Sequence, residues 1–205
     1  MDWMTEDAVI RGGRLGPLRF AGTHLSVAEH QRRTVTNYLQ LRALAPDLPI
    51  VPVLQGQSID DYRRIIDAYH RAGVDLTGEP LVGLGSVCRR QATRQVAALV
   101  ADLAAAGLRL HGFGIKTAGL ARYAAYLHSA DSLAWSLRGR HVQPCAHGIA
   151  RSEANCLRFA LTWRAHVLAA AAHPQLDLFA ETGGVAAAGD QRRGHQVATG
   201  LGGAA

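Results

Sequence analysis

Short apolar runs alternate with amphipathic stretches along the middle of this chain, and that alternation most restricts its fold. Residues 50–54 form a short, partly β-branched run that ends in Gln55 and Gly56. Ser58 then reads as a helix N-cap, with Asp60 and Asp61 in the first turn and Ile59, Tyr62, Ile65, Ile66 and Tyr69 on one face. Ala72 and Gly73 end that helix, and residues 74–76 read as the next strand. Residues 79–86 read as a Gly-rich loop, 90–106 as an Ala-, Val- and Leu-rich helix, and 108–111 as a further strand. His111, Gly112, Phe113 and Gly114 carry that strand into a turn and a helix start. The chain returns at residues 129–132 with a carboxylate, Asp131, 17 positions beyond Gly114. This β, α, β, α order predicts an α/β protein with (β/α) TIM-type barrel units, whose strand ends share one face.

The flanking regions read differently. A capping box, Ser26 with Glu29, opens a helix that runs to about Leu44. Residues 10–25 before it are an insertion rich in Gly and Arg, with no function assigned by its residues. Residues 152–172 read as a helix with Leu157, Leu161, Val167 and Leu168 as its apolar positions, stopped by Pro174. Residues 183–205 are Gly, Ala and polar residues and are expected to be disordered. The net charge of +6 favours a polyanionic partner. Arg89, Arg90, Arg138 and Arg140 are the candidates for nucleic-acid backbone contact. The run at residues 97–108 is too short to span a membrane and contains Asp102. The N-terminus has acids and no apolar signal core, so the expected compartment is the cytoplasm, with no membrane partner.

Four segments in order resemble the tRNA-guanine transglycosylase superfamily. Val53-Leu54-Gln55-Gly56 is similar to its "VQG" strand end, and Val82-Gly83-Leu84-Gly85 to its Gly-rich loop. His111-Gly112-Phe113-Gly114 is similar to its "LMGVG" strand, and Ala130-Asp131-Ser132 to its "FDS" element. The wording of residues 79–91, 130–136 and 155–158 is closer to the bacterial deazapurine DNA modification branch. The resemblance covers roughly residues 1–170. It implies a queuine tRNA-ribosyltransferase-like base exchange, which puts a 7-deazaguanine-type base into DNA or tRNA. Asp131 would be the nucleophile that forms a covalent glycosyl intermediate. Gln55, Gly56, Gly83, Gly85 and Phe113 would surround the base, with Asp2 as a base-contacting acid. The family's early "SGG-F" segment, with a second acid, has no match here. The expected architecture is therefore a partial barrel over residues 1–172, lacking its first β/α units. The alternatives are a non-catalytic nucleic-acid-binding relative, or a barrel enzyme acting on an unrelated small molecule.

Two further expectations concern the C-terminal part. Cys145, His147 and Cys156 are a thiolate and imidazole set that suits structural zinc within segment 145–156, with Glu153, His166 or His173 as the fourth ligand. The superfamily holds such a zinc after its barrel. Residues 173–182 contain Gln175, Leu176, Leu178 and Phe179, which resemble the QLxLF peptide that docks bacterial DNA-acting proteins on the sliding clamp.

Overall fold

The computed structural model describes residues 3–142 and 152–172. Its centre is a parallel sheet of four short strands, β3 (Val53–Leu54), β4 (Val82–Leu84), β5 (Leu110–Gly112) and β6 (Ser129–Ala130), hydrogen-bonded in that order. The registers Val53↔Gly83, Gly83↔His111 and His111↔Ser129 bring all four carboxyl ends to one edge. The strand order follows the chain, without the reversal of a doubly wound sheet. Among the described residues the sheet is not closed into a barrel. The α/β class is thus as expected, with an open parallel sheet and seven α-helices in the described parts, while the TIM-type barrel itself is not shown.

Each crossover is helical for reasons visible in its residues. In α3 (Ile59–Arg71) the Ser58 side chain accepts from the Asp61 amide, and the Asp61 carboxylate accepts from the Ser58 amide. Burial pushes the Asp61 pKa up, but these amide bonds outweigh it and hold the group below its usual value. The buried residues Tyr62, Ile65 and Tyr69 recur at helical spacing. In α4 (Arg94–Ala105) Thr93 caps the first turn, and Val96, Leu99, Val100 and Leu103 face inward. These residues pack against Leu54, Val82, Leu84 and Leu110, each fully buried. Each such apolar side chain contributes roughly 1.5–3 kcal/mol by leaving water.

Two expectations are corrected, and the insertion takes a definite form. Residues 74–76 are not a strand, and the strand lies instead in the Gly-rich stretch, at Val82–Leu84. Val82, Gly83 and Leu84 are all buried, so the strand is covered on both sides and shows no alternation. The insertion at residues 10–25 is structured. It holds α1 (Asp7–Arg11) and an antiparallel hairpin of β1 (Gly12–Leu15) and β2 (Leu18–Ala21), ahead of α2 (Val27–Leu44). On α7 (Leu157–Ala172) the expected apolar positions Leu157, Leu161 and Leu168 are exposed. Phe159, Ala160, Trp163, Val167 and Ala171 are half-buried on that helix, which meets α5 (Thr117–Tyr123) and α6 (Ala134–Gly139). The linear motif at residues 173–182 and the tail at 183–205 lie outside the described residues. No helix among the described residues is long and apolar enough to cross a membrane.

Candidate active site at the carboxyl edge of the sheet

The carboxyl ends of β3 to β6 carry Gln55, Ser86, Gly114 and Asp131 in turn. Asp131 follows β6 directly. Its amide donates to the Gly112 carbonyl, which continues the ladder, and its Oδ1 accepts from the Gly114 amide at 2.7 Å. Gly114 adopts φ +66, a conformation open to glycine, and this turns its N–H outward toward the carboxylate. His111 Nε2 stands 4.0 Å from Asp131 Oδ1, while His111 Nδ1 meets Ser129 Oγ at 2.8 Å. The Asp131 side chain is 64% exposed. A carboxylate held by one backbone amide and otherwise open suits attack on an electrophilic carbon.

Beside it lies a cavity of about 470 Å³, a volume in the usual range for a small-molecule site. Gly85, Ser86, Cys88, Phe113 and Gly114 line one wall, and Met4, Glu6, Thr34 and Tyr38 line another. Phe113 presents an aromatic ring, packed edge-on to His111 at 4.8 Å between centroids. A Cβ at position 83 would lie 2.5 Å from the Phe113 ring, so Gly83 is required to seat that aromatic wall. Gly85 is on the cavity lining itself.

The second wall is built by residues 3–6, and α2 explains how. Beside the core residues Val35 and Tyr38, its inward face carries three buried polar side chains, His30, Gln31 and Thr34. Thr34 Oγ1 accepts from the Trp3 amide. His30 Nδ1 lies 2.8 Å from the Met4 carbonyl, which can only accept, so Nδ1 carries a proton, and Nε2 is hydrogen-bonded to the Thr23 hydroxyl at 2.6 Å. Gln31 Nε2 donates to the carbonyls of Gln55 and Asp61. This network ties the N-terminal segment to the strand ends. It presents Glu6 to the cavity, where Oε1 accepts from the Cys88 thiol at 2.8 Å and Oε2 lies 3.4 Å from Arg89 Nε. Burial pushes the Cys88 thiol up from its usual value, and the Glu6 hydrogen bond and charge act in the same direction. The thiol therefore stays protonated at neutral pH as a donor to Glu6.

Several residues singled out from the sequence are engaged internally. Gln55 is fully buried, and its Oε1 accepts from the Thr5 amide at 3.0 Å and the Ser86 hydroxyl at 3.1 Å. It supports the cavity from behind rather than facing into it. Gly56 packs under α3, where a Cβ would lie 2.5 Å from Asp61 Cβ. Arg90 is drawn inward, donating to the carbonyls of Gly56, Gln57 and Ser86, so it clamps the strand-end loops and is not presented to an external anion. Arg89 pairs with Glu6, yet its side chain remains 75% exposed. Arg138 and Arg140 are exposed near the start of the C-terminal segment, and Arg138 lies over the Trp163 ring.

Asp2, Cys145, His147, Gln175, Leu176, Leu178 and Phe179 lie outside the described residues. Of the expected zinc ligands, Cys156 is half-buried, and its sulfur accepts weakly from the Phe159 amide. Among the described residues no group of three possible ligands comes together. Glu6 and Cys88 were not singled out as a pair from the sequence. They are 82 positions apart, and no local pattern joins them.

A family model described as DpdA, DeoxyPurine in DNA protein A, matches residues 1–199. No curated protein matches the chain, and no solved structure does.

Proposed function

Because the chain belongs to the DpdA family, deoxypurine in DNA protein A, we propose that it takes part in purine modification of DNA by base exchange. The observation that carries this reading is Asp131, fixed by the amide of Gly114, which with Phe113 lines the cavity. In the proposed reaction one Asp131 oxygen attacks C1′ of a deoxyribose. The C1′–N9 bond to the purine breaks, and its electron pair leaves with the base, which takes up a proton. A 7-deazaguanine-type base then gives up its N9 proton and attacks C1′, and the Asp131 ester bond breaks. One proton is taken and one returned, so the sequence is balanced.

Glu6 is assigned the proton-handling role, as the carboxylate on the cavity lining. Phe113 and the backbone at Gly85 are assigned to the flat faces of the base, and Gln55 to holding Thr5 and Ser86 in place. The open four-strand sheet is read as an arc of a (β/α) barrel. A structural zinc at Cys145, His147 and Cys156, and docking of residues 175–179 on a sliding clamp, belong to the same proposal. Elemental analysis and a clamp-binding titration test these two parts.

A non-catalytic DNA-binding relative is the rival reading, and one experiment separates them. Nucleosides from DNA of cells with and without the gene are compared by mass spectrometry. A 7-deazapurine deoxynucleoside present only with the gene is the expected result. Identical nucleoside profiles under conditions of confirmed expression would overturn base exchange in DNA. A modified nucleoside confined to the tRNA fraction would move the substrate to RNA.

A further inference from the structure

The β1–β2 hairpin is the element the proposed chemistry leaves unused. Its turn is Gly16-Pro17, with Gly16 at φ +60 in the first central position, where a two-residue hairpin accepts glycine best. Side chains alternate across the ribbon, and the register separates them cleanly. Gly12, Arg14, Arg19 and Ala21 share one face, while Gly13, Leu18 and Phe20 share the other. Phe20 lies across Gly13, where a Cβ would come within 3.2 Å of the ring. Every residue of β2 is exposed.

The register places Arg14 directly opposite Arg19. Like charges in that position repel and weaken a hairpin. Residues 12–21 contain no acid, and among the described residues no carboxylate pairs with either arginine. Gly12 and Ala21 flank the pair with almost no side chain, so a flat anionic surface can reach both guanidinium groups together. The isolated chain gains nothing from this arrangement. A partner rich in phosphate would relieve the repulsion.

The hairpin is also held in a fixed place. It springs from α1, which follows directly on the Thr5–Glu6 wall of the cavity. Gln57 Nε2 ties that junction by donating to the Thr5 carbonyl and to Asp7 Oδ1, both at 2.9 Å. At the hairpin base the amides of Thr23 and His24 donate to the carbonyls of Val9 and Ile10. Gly22 sits so close to the Ile10 carbonyl and Gly12 that no side chain fits there. The ribbon is thus anchored at both ends to the segment that forms the cavity wall.

We propose that this ribbon grips the sugar–phosphate backbone of duplex DNA beside the exchanged nucleotide, with Arg14 and Arg19 each on a phosphate. The proposal rests on the DNA reading above and names the surface that would position the duplex. Each phosphate neutralised by the protein contributes about 0.9 to the salt dependence of log K. The test is fluorescence anisotropy of the full chain with a labelled duplex of about 20 base pairs, between roughly 50 and 200 mM salt, where phosphate contacts dominate affinity. Arg14→Ala/Arg19→Ala should lower the salt slope by about 2 and weaken binding roughly 10–100-fold near 100 mM salt. Arg14→Lys/Arg19→Lys should keep most of the slope, because a phosphate contact needs mainly charge. Circular dichroism should be unchanged for both, since both side chains are exposed. Wild-type binding with no change in the alanine variant overturns the ribbon's role and leaves base exchange standing. A wild-type chain that binds no duplex at the lowest salt overturns the ribbon proposal together with the DNA reading beneath it.

Discussion

Asp131→Asn is expected to abolish any covalent protein–DNA adduct and to reduce base exchange by roughly 10³–10⁶-fold, the range seen when a nucleophile is removed. An amide has no anionic oxygen to attack C1′, and it cannot offset the positive charge that develops on the sugar. The fold should survive. The Asp131 side chain is 64% exposed, and its one strong bond, from the Gly114 amide, can be made by the Asn carbonyl oxygen instead. The readout is an adduct trapped on a duplex and separated under denaturing conditions, beside a thermal melt. An unchanged adduct yield from a folded variant would refute the role given to Asp131.

Gln55→Leu is expected to act on stability before it acts on chemistry. Leucine fills much of the volume but cannot accept from the Ser86 hydroxyl or from the Thr5 amide, which would keep only its longer bond to Ser86 Oγ at 3.2 Å, and Gln55 is fully buried. Each buried donor left unmatched costs about 1–3 kcal/mol. A total of roughly 2–4 kcal/mol should lower Tm by roughly 5–15 °C in a chain of this size. A residue that faced the base would behave otherwise, with little change in Tm and a large loss of affinity for the free base. Calorimetry together with a base-binding titration distinguishes the two, and a variant with unchanged Tm would end the strut assignment.

These two residues show what a sequence can and cannot disclose. The position of Asp131 at a strand end was legible because a strand, a glycine turn and an acid stand at a characteristic local spacing. The α3 helix was legible for a similar reason: Ser58 and Asp61 form its cap within a single turn. Gln55 looked equally like a ligand contact, yet its partners are 50 and 31 positions away, and only the fold brings them to it. Arg90 looked like a free cation, but the carbonyls of Gly56 and Gln57 had already claimed it. The strand at Val82–Leu84 was read as loop because burial on both sides removes the alternation that marks a strand. The hairpin went unread because its two short strands are polar on one face and exposed on both. Glu6 beside Cys88 could not be seen at all without the packing of residues 3–6 on α2.

The strand order bears on how the chain comes together during synthesis. Each strand of the sheet pairs with the next one made: Val53 with Gly83, then Val82 with Leu110, then His111 with Ser129. Every pairing closes a short stretch of chain that already carries its own helix, so little entropy is lost per step. Translation adds residues from the N-terminus at roughly 5–20 per second. The ribosome therefore releases Glu6, Gln55, Ser86 and Phe113 before Asp131. The wall that would receive a base can stand before the residue that would attack the sugar has been made.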